Sequence, residues 1–145
     1  MTEFSVTRAH LKNACDQRQW DLLDRLLEID ASGIDDKSLF TDTWGSWWGM
    51  LLECVMQKQI KGVQVLLARG ANRGVAMWGD GFMTTPREAA EEQPEILALL
   101  DAETVTYERK TDPELPVGET EKDRAINRQS EIRDGTGLVF PVEED

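Results

Sequence analysis

The residue types that carry out most enzymatic chemistry are scarce in this chain. It has one histidine, His10, and two cysteines, Cys15 and Cys54. Cysteine and serine nucleophiles usually depend on a nearby imidazole base, and a single histidine leaves little material for such an arrangement. Both cysteines fall within apolar helical patterns, so we expect buried thiols in a reducing compartment. The sequence therefore predicts no catalytic residues, and we expect that the protein is not an enzyme.

Metal and phosphate sites have little support either. Asp30, Asp35 and Asp36 lie close together in sequence, but the D-x-D-x-D-G spacing with a terminal glutamate that binds calcium is missing. The W-G-D-G stretch at 78–81 is preceded by no predicted strand and followed by no G-K-[ST], so it does not match a phosphate-binding loop. We predict no metal site and no cofactor.

Two predicted loops carry large apolar side chains that core packing does not readily explain. Residues 31–50 contain three of the five tryptophans, and residues 73–84 combine large apolar side chains with three glycines. Adjacent tryptophans cannot both face inward on one helix, and tryptophan is concentrated at the energetic centres of protein interfaces. The predicted partner-binding residues are Trp44, Trp47, Trp48, Met77, Trp78, Asp80 and Phe82.

Both loops also allow an interpretation without a partner. Trp47 or Trp48 would then pack as part of the first turn of the following helix. The apolar residues of the second loop would be covered by the C-terminal segment rather than by another protein.

An internal repeat predicts the elements that position these loops. The pattern of residues 11–27 recurs 40 residues later at residues 51–67. Each copy ends in an aliphatic cluster spaced i, i+3, i+6 and i+7, which is a helical period. A polar break, at 16–19 in one copy and at 57–59 in the other, separates two short helices. A third, weaker copy follows 33 residues after the second.

The third copy has clear helix starts. Thr85 can cap the first of its two helices, and Pro86 follows at the first helical position, where the missing N–H costs nothing. Pro94 opens the second helix in the same way.

The repeats resemble ankyrin repeats. The sequence T-P-R-E-A-A at 85–90 resembles the T-P-L-H-x-A opening of that family, and L-L-A-R-G-A-N at 66–72 resembles its L-L-x-x-G-A-D/N close. The resemblance covers about residues 4–101, although the first repeat lacks the G-A-D close and the histidine of the opening is absent. It implies a mainly α fold, an ankyrin-like helical-hairpin solenoid of about three repeats, in which Gly70 takes a positive φ as its helix ends.

The remainder of the chain is predicted to be an acidic extension. We divide the sequence into a repeat domain, 1–102, and a C-terminal extension, 103–145, which has 12 acidic and 6 basic residues (6 − 12 = −6). Residues 104–107 alternate like a strand, 113–121 read as a linker, and 134–137 suggest a turn into a second strand at 138–140. The extension is therefore predicted to contain one or two short strands, and a disordered acidic tail is the alternative.

Charge and length limit the classes of partner. The chain of 145 residues has 16 basic and 28 acidic residues (16 − 28 = −12), which opposes binding to nucleic acid or to anionic membranes and favours a basic protein surface. No apolar run approaches the roughly 20 residues of a membrane span, and no secretory signal is apparent, so we expect a cytoplasmic protein.

These features predict a protein-binding module. A small, acidic, ankyrin-like protein resembles the immunity proteins that neutralise secreted bacterial toxins, which implies a stoichiometric inhibitor whose partner is a cognate toxin or effector with a basic surface. The alternatives are a regulatory or scaffold adaptor for a cellular or host protein, and an enzyme or metal binder with an acidic cleft.

Overall fold

The protein is mainly helical in a computed structural model. The structure describes residues 4–41, 45–74, 77–79, 82–116 and 118–135, and for 77–79, 82–83 and 130–135 it describes the backbone alone. In chain order the elements are α1 (Arg8–Asp16), α2 (Trp20–Ile29), β1 (Phe40–Thr41), β2 (Trp47–Trp48), α3 (Met50–Met56), α4 (Ile60–Ala68), β3 (Met77–Gly79), β4 (Phe82–Thr84), α5 (Pro86–Ala89), α6 (Pro94–Asp101) and α7 (Glu121–Gly135).

The predicted helix pairs and the breaks between them are confirmed. α1 ends at Asp16 and α3 at Met56, and the next helix of each pair starts four residues later. In the third pair, the Thr85 side chain accepts a hydrogen bond from the backbone N–H of Glu88, whose own side chain accepts from the Thr85 N–H. Gly70, just after α4, has a φ of +93°, as its predicted role requires.

Three successive helix pairs pack side by side around one core. Besides the contacts within each pair, α1 packs on α3 and α3 on α5, while α2 packs on α4 and α4 on α6. Leu11, Leu66 and Ile96, from three different pairs, belong to the same buried cluster. Gly62 in α4 makes the close approach possible, because a Cβ there would come within 2.6 Å of the Cys54 sulfur and 2.8 Å of the Trp20 ring.

The two long loops contribute short strands to one antiparallel sheet of order β1-β2-β3-β4. Trp47 and Trp48 form β2, and α3 begins at Met50. The alternative in which these tryptophans start the helix is therefore wrong. Pairing with β1 on one side and β3 on the other takes both residues into the sheet.

The C-terminal extension packs against the helix pairs, but residues 104–107 do not form the predicted strand. The alternating pattern instead separates partly buried Val105 and Tyr107, which pack on the core, from exposed Thr104 and Thr106. The segment lies against helices, and within the part of the chain that the structure describes no strand lies beside it with which it could form a ladder. The second predicted strand, 138–140, is outside the described residues.

A helix that the sequence analysis did not predict follows this segment. α7 begins after Thr120, which forms a reciprocal capping pair with Asp123 (3.0 and 3.2 Å). It packs on α1, where Asn127 Oδ1 accepts from the Ala9 N–H at 2.6 Å and Asn13 donates to Asp123 at 3.0 Å. The extension therefore leaves α6, the last helix of the array, and returns to α1, the first.

Across the part of the chain that the structure describes, no helix combines the length and apolar character that crossing a bilayer requires.

Candidate protein-binding surface

The four-stranded sheet brings together residues of the two loops that carry large apolar side chains, 31–50 and 73–84, which we call the aromatic loops. Trp47 and Trp48 lie in β2, Met77 and Trp78 in β3, and Phe82 in β4. The backbone register pairs position 47 with position 78, and position 78 with position 83. Trp44 and Asp80, the other two predicted partner-binding residues, lie outside the described residues.

One face of the sheet is turned toward the helices. Phe40 and Trp48 are register partners and therefore share a face. Phe40 is only 5% exposed, and Trp48 packs against the core while its Nε1 donates to Glu53 Oε1 of α3 at 2.8 Å. The Lys12 ammonium of α1 lies 4.5 Å from the centre of the Phe40 ring. This face attaches the sheet to α1 and α3.

The other face of the sheet, away from Phe40 and Trp48, carries the residue pair Thr41 and Trp47. Side chains alternate along a strand, so Thr41 and Trp47 lie on the face opposite Phe40 and Trp48. Thr41 is exposed and Trp47 is half-buried. The adjacent tryptophans thus divide between the two faces, and position 78 continues the row formed by Thr41 and Trp47.

A buried aspartate holds the first loop in place. Asp36 is 3% exposed and accepts hydrogen bonds from Arg8 Nε at 2.7 Å and from the Ser38 backbone and hydroxyl at 2.8 and 2.6 Å. Its carbonyl oxygen lies so close to Gly49 that a Cβ there would be 2.7 Å away. These contacts join the start and the end of the loop directly before α3.

Negative charge accompanies the aromatic residues. Glu53, which accepts from Trp48, is half-buried and has no lysine or arginine partner among the described side chains. Nearby Asp16 pairs with Lys12 at 2.9 Å. The sheet is therefore bordered by a carboxylate that accepts from Trp48 and forms no ion pair with a described lysine or arginine.

Sequence reasoning located these residues in loops but missed the sheet. The Asp-Gly dipeptide at 80–81, flanked by apolar residues, is a strong two-residue hairpin signal, and the structure pairs Gly79 with Phe82 across it. Phe40, Thr41 and Glu53 were also missed. No local signal marks them, because their role depends on residues that lie far away in sequence.

The two cysteines are buried free thiols, as predicted. Contact with the Cys54 thiol, followed by burial, raises the pKa of Cys15. A raised pKa leaves little thiolate, which is the reactive form of a cysteine. The pair lines a cavity of about 230 Å³ together with Asp16, Glu53 and Trp20, and its environment is that of packed core thiols.

His10 completes a helix cap. Its Nδ1 accepts from the Thr7 N–H at 3.1 Å, and its ring stacks on Phe4 with 5.1 Å between ring centres. Burial lowers the pKa of His10, against the opposing charges of Asp123 and Glu119. Neutral imidazole is the form that can accept this hydrogen bond, so the contacts assign His10 a structural role.

Among the described residues, no three histidine, cysteine or acidic side chains are grouped so that they could hold a metal ion.

No protein-family model, curated protein or solved structure matches the sequence.

Proposed function

We propose that this protein is a short ankyrin-like repeat array that binds another protein and inhibits it stoichiometrically, as an immunity protein neutralises a secreted bacterial toxin. The observation that carries the proposal is the sheet formed between the two aromatic loops. Its register aligns position 78 with Trp47 on the face opposite Phe40 and Trp48. Two loops from different repeats thus build one continuous surface for a partner.

The arrangement of the helices supports the repeat assignment. Corresponding helices of successive pairs contact one another: α1 contacts α3 and α3 contacts α5, while α2 contacts α4 and α4 contacts α6. Stacked units of this kind bury a face that no single pair can cover. The strands project from the connections that lead into α3 and α5, which is where ankyrin-like fingers would lie.

Electrostatics supports a basic partner. The net charge of −12 attracts a positively charged surface and accelerates encounter with it. At short range, Glu53 can receive a cation beside the Trp48 ring. The same net charge disfavours nucleic acid and anionic membranes as partners, and we place the protein in the cytoplasm.

Co-expression tests the proposal directly. A secreted toxin encoded beside the gene would be produced in the cytoplasm with and without this protein, and the complex purified by size exclusion. We expect restored growth and a complex of one inhibitor per toxin. Trp47→Ala should weaken binding by about 2 kcal/mol or more, which is roughly thirtyfold, because tryptophan anchors at interfaces commonly carry that much energy.

Ile29→Ala is the matched control, because Ile29 is a large apolar residue that is 47% exposed but lies on α2, outside the sheet. It should bind like the wild type. Circular dichroism of both variants reports whether the fold is intact. Equal binding by wild type and Trp47→Ala would contradict the assigned surface, and a tightly bound partner that is not toxic would favour the adaptor function.

A further inference from the structure

A cavity lies away from the sheet, and none of its lining residues belongs to a strand. It has a volume of about 580 Å³ and is formed where the C-terminal extension passes over α2 and α4. Sites for small ligands usually have volumes of about 300–1,000 Å³. The proposed protein-binding surface does not use this cavity.

Three cations from three separate segments line the cavity. Arg18 comes from the turn between α1 and α2, Lys61 from α4, and Lys110 from the extension. None of them has a carboxylate partner among the described residues. Their positive charges are therefore not neutralised by an ion pair with a described acidic side chain.

The acidic residues of the lining are Asp21 and Glu108. Asp21 is already satisfied, since it accepts from the Tyr107 hydroxyl and, at 3.0 and 2.8 Å, from the backbone and hydroxyl of Thr111. The charge of the lining is therefore 3 − 2 = +1, in a protein of charge −12. An anion that enters this cavity therefore meets a net positive charge, although the net charge of the whole protein is negative.

The uncharged lining residues could contact the parts of an organic ligand that carry no charge. Gln19 and Gln64 offer amide N–H donors, and Trp20, Leu22 and Pro113 provide apolar surface. A phosphate ester carries a charge of about −1.5 to −2 with three acceptor oxygens, and arginine and lysine are the residues that usually bind it. We propose that this cavity binds a small phosphate-bearing molecule.

Titration of the full chain tests this inference. Phenyl phosphate and inorganic phosphate are added at low ionic strength, and thermal unfolding and tryptophan fluorescence are recorded. A ligand that binds only the folded state raises the melting temperature with its concentration. We expect both compounds to do so, phenyl phosphate at the lower concentration, because only it contacts the apolar wall.

Two double variants with equal changes in net charge distinguish binding in this cavity from a nonspecific effect of the protein's charge. Lys61→Gln with Lys110→Gln should weaken binding about tenfold, since two cations are lost from the cavity. Lys58→Gln with Lys122→Gln removes the same charge from residues outside the lining and should leave binding unchanged.

Three outcomes would overturn the inference. Sodium chloride at matched ionic strength could reproduce the rise in melting temperature, which would mean screening of the net charge alone. The two double variants could respond alike, or benzoate could bind as tightly as phenyl phosphate. None of these results bears on toxin binding at the sheet, so the two proposals are tested independently.

Discussion

Asp24 lies on α2 with its side chain almost entirely buried, and arginines from two other segments contact it. Arg69, directly after α4, donates to both carboxylate oxygens at 2.9 and 3.1 Å, and Arg109 of the extension lies 3.4 Å away. One carboxylate thus joins two repeats and the extension. The contact with Asp24 also raises the pKa of Arg69, so the guanidinium stays charged under all ordinary conditions.

We expect Asp24→Asn to lower the free energy of unfolding by about 2–4 kcal/mol, because it leaves two partly buried arginines without their carboxylate. Asp112→Asn is the control: Asp112 contacts Arg25 and Arg109 in the same network, but its side chain is 67% exposed. It should cost less than about 1 kcal/mol. Urea unfolding of both variants measures the difference, and equal losses would show that burial of Asp24 does not matter.

At the scale of elements, the turns inside the first two helix pairs contain backbone strain. Arg18 and Lys58 occupy equivalent places and have φ values of +57° and +59°. This left-handed conformation costs a residue with a side chain roughly 1–2 kcal/mol, and glycine adopts it freely.

Replacing Lys58 by glycine should therefore raise the free energy of unfolding by about 0.5–1 kcal/mol after the greater flexibility of unfolded glycine is subtracted. Lys61→Gly provides the comparison, because Lys61 lies three residues further along in α4, where glycine costs about 1 kcal/mol. Thermal and urea unfolding should give opposite signs for the two variants. A loss of stability in both would exclude strain at residue 58.

Elements also show how far sequence reasoning reaches. The three helix pairs could be predicted because their signals are local: an aliphatic period, a polar break, and proline or threonine at the start. The strands contain two or three residues each, too few for a periodic signal, and β2 and β3 are joined across 30 residues of sequence at Trp47 and Trp78. α7 has no strong apolar stripe, and its visible support comes from Thr120 and from contacts with Ala9 and Asn13.

At the scale of the whole molecule, the contact between Tyr107 and Asp21 makes attachment of the extension depend on pH. Burial, followed by the hydrogen bond to Asp21, raises the pKa of Tyr107, and hydrogen bonds from Tyr107 and Thr111 lower the pKa of Asp21. The stability from Tyr107 is complete below its unfolded pKa of about 10 and is lost as the pH rises above it. The contribution of Asp21 is present above about pH 3.9 and is lost in stronger acid.

We therefore expect the melting temperature to be steady through neutral pH and to fall above about pH 10. Tyr107 is the only tyrosine in the chain, so ultraviolet absorbance of tyrosinate reports its ionisation directly. Tyr107→Phe should be less stable at neutral pH and should lose the part of the alkaline decline that tyrosine ionisation causes. An identical alkaline decline in both proteins would assign it to other groups.

The return of the extension from α6 to α1 limits the size to which this array can grow. In an open array a further unit is simply added, but here residues 103–116 must span every layer before α7 reaches Ala9 and Asn13. Neighbouring helices lie about 8–10 Å apart, so one more layer would require roughly three additional residues of extended chain. The length of the return segment therefore limits the number of units. Duplication of a unit would detach α7 from α1 unless the segment became longer as well.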